Sequence, residues 1–131
     1  MKKIIFIISV ILLSFILPIP EYVELNNLAI IESIGINYKN DNYTIYLKEL
    51  IPKKDDNGIT YQYHYYKETS NSITNAYQKI KNKTKKKIYL KRVKLLITNK
   101  KLSNKIQKEL NIKPTQILHT KKDILEELKS N

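Results

Sequence analysis

Residues 59 to 66 alternate without a break. Ile59, Tyr61, Tyr63 and Tyr65 fall on one side, Thr60, Gln62, His64 and Tyr66 on the other. A period of two over this length fits a strand with unlike faces and fits no helix. The amphipathic tyrosine rings suit a half-buried sheet face; a ligand surface is the other use of such a row. A strand of this kind needs neighbours for its backbone and a layer over one face.

Both are legible. Leu28 to Asn37 is rich in β-branched residues and ends in polar turn residues, which predicts a strand. Alternation puts Ile30, Ile34 and Ile36 on one face. It puts Ala29, Ile31, Ser33 and Gly35 on the other, where small side chains admit a closely packed helix. Lys39 to Asn42 is a turn, and Tyr43 to Ile51 a second strand, so the pair is an antiparallel hairpin. Pro52 to Gly58 reads as a polar loop ending in the turn signal Asn57-Gly58. Ser70 or Ser72 caps a helix whose apolar stripe is Ile73, Ala76, Tyr77 and Ile80. Lys79, Lys81 and Lys83 suit its C-terminal end. Ile88 to Thr98 is a fourth strand, with Val93, Leu95 and Ile97 on one side and Arg92 and Lys94 on the other. Ser103 caps a short helix that buries Ile106 and Leu110 and is broken by Pro114. Thr115 to His119 is a fifth strand. Thr120 to Asp123 resembles a capping box for a last helix that buries Ile124, Leu125 and Leu128. The order β-β-β-α-β-α-β-α predicts an α+β fold, a mixed sheet of about five strands with about three helices on at least one face. A strand–helix–strand crossover is right-handed where its strands are parallel.

Before the domain, Met1-Lys2-Lys3 leads into Ile4 to Leu17, closed by Pro18 and Pro20. A fourteen-residue helix spans about 21 Å, short of a hydrocarbon core of about 30 Å. Residues 1–20 are therefore expected to be a signal peptide or an uncleaved membrane anchor, and 21–131 a single domain. Lys2 and Lys3 before the segment, with Glu21, Glu24 and Glu32 after it, place the domain on the extracytoplasmic face. Without cysteine there is neither a disulfide nor a thiolate metal site.

The formal charge is +12, and residues 69 to 108 hold thirteen Lys or Arg and no Asp or Glu. Such a region suits anionic lipid or cell-wall polymer, and Lys83, Lys85, Lys86 and Lys87 are its candidate contacts. Nucleic acid is not expected as a partner: Arg92 is the sole arginine, and export removes the domain from it. Catalysis is not expected either. His64 and His119 lie on separate strands without carboxylates at ligand spacing, Asp55 and Asp56 serve a turn, and two glycines cannot build a phosphate loop. No cofactor is implied.

Glu24-Leu25-Asn26-Asn27-Leu28-Ala29-Ile30-Ile31-Glu32-Ser33-Ile34-Gly35-Ile36-Asn37 resembles the opening strand of the Ger(x)C family, the C subunits of bacterial spore germinant receptors. Lys85 to Ile97 is similar to a second family segment, with Arg92 near its usual histidine. His119 to Leu128 resembles the strand-to-helix junction that ends the family's first domain. The lipid-bearing cysteine and the tryptophan-aspartate pair before E-L-N are missing here. The resemblance implies a non-enzymatic part in spore germination at the spore inner membrane, beside integral-membrane receptor subunits. It implies Glu24, Leu25, Asn26, Ala29, Gly35 and Arg92 as motif or interface positions.

Overall fold

The computed structural model describes residues 1–16 and 27–131. Its elements are α1 (Lys2–Ile16), β1 (Leu28–Lys39), β2 (Asn42–Asp55), β3 (Gly58–Ser70), α2 (Ile73–Lys83), β4 (Lys87–Tyr89), β5 (Leu95–Thr98), α3 (Ser103–Leu110), β6 (Gln116–His119) and α4 (Ile124–Ser130). The side chains of residues 1 to 12 are all exposed. Among the described residues no helix is long and apolar enough to cross a membrane. The end of the leader at Leu17 to Pro20, and the motif residues Glu24, Leu25 and Asn26, lie outside the described residues.

The domain is a mixed six-stranded sheet of order β3-β2-β1-β5-β6, with β4 also paired to β1. Two hairpins build its antiparallel half. Asn40 and Asp41 both take positive φ between β1 and β2, the geometry that matches the twist of the flanking strands. Asp56 and Asn57 turn β2 into β3, and Gly58 follows at φ +128°, a conformation open to glycine. Crossovers build the parallel half. From β3 the chain passes through α2 to β4 and β5, both parallel to β1, and then through α3 to β6, parallel to β5.

Helices cover both faces. α2 and α3 bury Ile73, Ala76, Ile80, Ile106 and Leu110 on one face, against Ala29, Ile31, Ile34, Ile36, Ile45, Leu47 and Leu96. On the other, α4 sets Ile124 and Leu128 against Tyr46, Leu95 and Ile97. Gly35 faces α4, and a methyl group there would collide with Cγ2 of Ile124. The small residue expected to admit a helix does so.

Several local expectations are corrected. The register of β1 against β2 shifts between Ile31 and Ser33. This bulge adds a residue and reverses the alternation. Ala29 and Ile31 therefore share the α2 face with Ile34 and Ile36, while Ile30 lies with the groove on the other face. The predicted strand 88–98 is two strands separated by a turn closed by Val93 N–H to Leu90 O. Val93 consequently enters the α2-side core while Leu95 and Ile97 face α4. Pro52 to Asp55 is strand, not loop. β2 has lost its β1 neighbour beyond Glu49, and the absent amide of proline is tolerated on such an open edge. Ser72, not Ser70, caps α2, accepting from Asn75 N–H. α3 begins at Ser103 with no side-chain cap, and ends at Asn111 in the left-handed region, before Pro114. Asp123, not Thr120, caps α4, its Oδ1 accepting from the amides of Leu125 and Glu126; the Thr120 hydroxyl accepts from Lys122 N–H instead.

Candidate functional site

β1 and β2 are hydrogen-bonded only from Ile31 and Glu49 onward. Toward the other end they part, because the start of β1 pairs with β4 instead. β2 and β3 continue together as a two-stranded arm out to the turn at Asp56 and Asn57. A groove of about 520 Å³ opens in this fork. Its walls are Leu28 and Ile30 from β1, Leu50 and Pro52 from β2, Tyr61 from β3 and Tyr89 from β4. Glu32, Arg92 and Lys94 stand at its rim. Among the described residues no ion pair or side-chain hydrogen bond engages any of the three charged groups. A smaller hollow of about 170 Å³ shares Leu28, Ile30, Leu50 and Pro52 and reaches Glu49 and Lys86.

The tyrosine row of β3 divides along the arm. Tyr65 packs against the α4 cluster. Ile59, Tyr61 and Tyr63 are 65%, 56% and 45% exposed, since α4 is too short to reach them. The Tyr63 ring has the Lys48 ammonium 4.3 Å from its centroid. Lys48 is buried, and its Nζ donates to Leu128 O at 3.2 Å, setting a cation on the terminal carbonyls of α4. Burial raises the Tyr65 phenol above its ordinary pKa.

The basic run begins beside the same fork, because β4 starts at Lys87 opposite Leu28. Its members differ. Lys83 pairs with Glu68. Lys86 Nζ lies 2.6 Å from Oε1 of Glu49, a carboxylate only 2% exposed. Glu49 Oε2 also accepts from the Tyr66 hydroxyl at 2.6 Å. Burial first, and this bond second, raise the Tyr66 pKa. Lys85 and Lys87 are exposed and without a partner among the described residues.

Of the motif positions that are described, Ala29 is fully buried under α2, Gly35 lies under α4, and Arg92 is exposed at the groove rim. They do not form one cluster. His64 and His119 are exposed on β3 and β6, which lie at opposite edges of the sheet. His64 makes an edge-to-face contact with Tyr66 at 4.6 Å. Among the described residues no group of three or more His, Asp or Glu is arranged to hold a metal. Leu28, Ile30 and Tyr89 fall within the two family-like segments, but nothing in the sequence joins them to Leu50, Pro52 and Tyr61, which only the fork brings together.

A family model described as the spore germination protein N-terminal domain matches residues 21–113, more than half of the chain. The match takes in β1 to α3 and stops before β6 and α4. No curated protein and no solved structure matches the chain.

Proposed function

Because the chain belongs to the family of spore germination proteins defined by this N-terminal domain, we propose that it acts in germination as a C-type subunit-like component of a nutrient germinant receptor. In this reading it sits at the extracytoplasmic face of the membrane and works by binding integral-membrane receptor subunits and coupling them, without bond-making chemistry. The family match over residues 21–113 carries the reading. The groove supports it: an apolar cleft with Glu32, Arg92 and Lys94 at its rim suits binding to a partner. Deleting the gene in a strain lacking paralogues tests it. Nutrient-triggered germination should slow or stop, and return when the gene is restored. Germination unchanged with every nutrient would reject the role.

The exposed, unpaired Lys85 and Lys87 favour a second reading, an exported cationic module on anionic lipid or cell-wall polymer. Exposed charges are screened beyond about 10 Å at 0.1 M salt, so such binding falls steeply with ionic strength. Lys85→Gln with Lys87→Gln is the informative variant, because Lys83 and Lys86 also serve intramolecular pairs. Release of this double variant from phosphatidylglycerol vesicles, with the fold intact, is the expected result. Unchanged binding would exclude the basic run.

A further inference from the structure

The apolar surface of the arm is continuous with the start of β1. Cross-strand pairing puts Leu50 beside Tyr63, Pro52 beside Tyr61 and Lys54 beside Ile59 on the sheet face that α4 leaves bare. Isolated exposed apolar residues are ordinary, but a contiguous patch with a charged rim marks a contact surface. Four cations, Lys54, Lys87, Arg92 and Lys94, stand around it with three carboxylates, Glu32 and, at the turn, Asp55 and Asp56. Tyrosine over an apolar floor, ringed by lysine, is the chemistry of a bilayer interface, where aromatic rings sit at headgroup level and lysine stems extend to phosphate. Connectivity points the same way. α1 is apolar on every side and joins β1 through residues 17 to 27, which at full extension span at most about 40 Å.

We infer that this face rests on an anionic lipid bilayer, with Ile59, Tyr61 and Tyr63 at the headgroup–acyl boundary and the rim lysines on phosphates. The inference rests on the membrane placement proposed above and adds an orientation: the arm points toward the lipid and α3 away from it.

The sequence contains no tryptophan, so a single one reports its own surroundings. The full chain carrying Tyr61→Trp is mixed with phosphatidylglycerol vesicles whose acyl chains are brominated, and compared with Lys108→Trp on the exposed side of α3. Insertion to a depth of about 5–10 Å should shift the Tyr61→Trp emission to the blue and quench it about threefold more than the Lys108→Trp emission. Ile59→Trp repeats the test should the first variant misfold. Equal quenching at positions 61 and 108 overturns the inference. So does a blue shift that needs no vesicles and grows with protein concentration, which would assign the face to a second copy of the chain. Quenching that persists in the Lys85→Gln background, which leaves every rim cation in place, supports the arm as the lipid contact rather than the remainder of the basic run.

Discussion

Gly35 and Lys86 show how a residue's role depends on what the fold brings to it. A Cβ at position 35 meets Ile124, so Gly35→Ala forces α4 outward. Overpacking of this kind costs about 1–3 kcal/mol, read as a lower urea midpoint at unchanged slope. The sequence pointed to Gly35 through its small size and its place in the opening motif; its partner lies 89 residues later and could not be read. Lys86 is one of three consecutive lysines indistinguishable by composition. It alone of them reaches Glu49, 37 residues away. Lys86→Gln leaves the buried Glu49 carboxylate, among the described residues, with the Tyr66 hydroxyl alone. We expect a loss of about 2 kcal/mol, below the usual figure for a broken buried pair because the Lys86 side chain is 35% exposed. Lys85→Gln should be neutral within about 0.5 kcal/mol in the same urea titration.

Among the elements, the β2–β3 hairpin is the least uniform. From Tyr43 to Glu49, β2 lies between two neighbours; from Leu50 to Asp55 it has β3 alone. Two-stranded ribbons are marginal in water. Native-state hydrogen exchange should therefore find the arm amides of residues 59 to 63 opening well below the global unfolding free energy, and those of Ile45 and Leu47 only near it. Equal protection along the hairpin would mean that the arm is braced. The strands and helices themselves were legible from alternation and apolar stripes, down to Ile106 and Leu110 beneath α3. The faces of β1 were not. A bulge leaves composition unchanged and inverts every side chain beyond it, so period two gave the right element and the wrong phase. The division of β4 from β5 belongs to the same irregularity. Lys94 N–H donates to Glu32 O at the bulge, and the intervening turn is set by that meeting of two strands, not by residues 88 to 98 alone. Of the groove, the motif residues of β1, Arg92 and the tyrosine row stood out beforehand as separate features, and their convergence did not, since it comes from topology.

For the whole molecule, both faces of the sheet are needed. A chain ending at Lys113, where the family match stops, loses β6 and α4 and bares Tyr46, Leu95 and Ile97. The lost burial of Ile124 and Leu128 alone amounts to about 4 kcal/mol, a large share of a small domain's stability. We expect that fragment to lack a cooperative thermal transition where the full chain has one. High pH should also weaken the domain. Burial raises the phenol pKa values of Tyr65, Tyr66 and Tyr77, so the folded state holds these protons more tightly than the unfolded chain. Their contribution is complete below about pH 10, where free tyrosine ionises, and is lost as pH climbs through the raised values. Urea midpoints should be flat below that pH and fall above it, together with the appearance of tyrosinate absorbance. The placement of β1 has a mechanical consequence. Its N-terminal end receives any pull transmitted from α1, and the strand is flanked on one side by β2 and on the other by β4 and β5. Tension along the strand axis is resolved as shear across both ladders, which must slip many hydrogen bonds at once. The same force applied at Asn131 would peel away α4 and then β6 from the sheet's edge in sequence, so the domain is stiff when pulled through β1 and soft when pulled through α4.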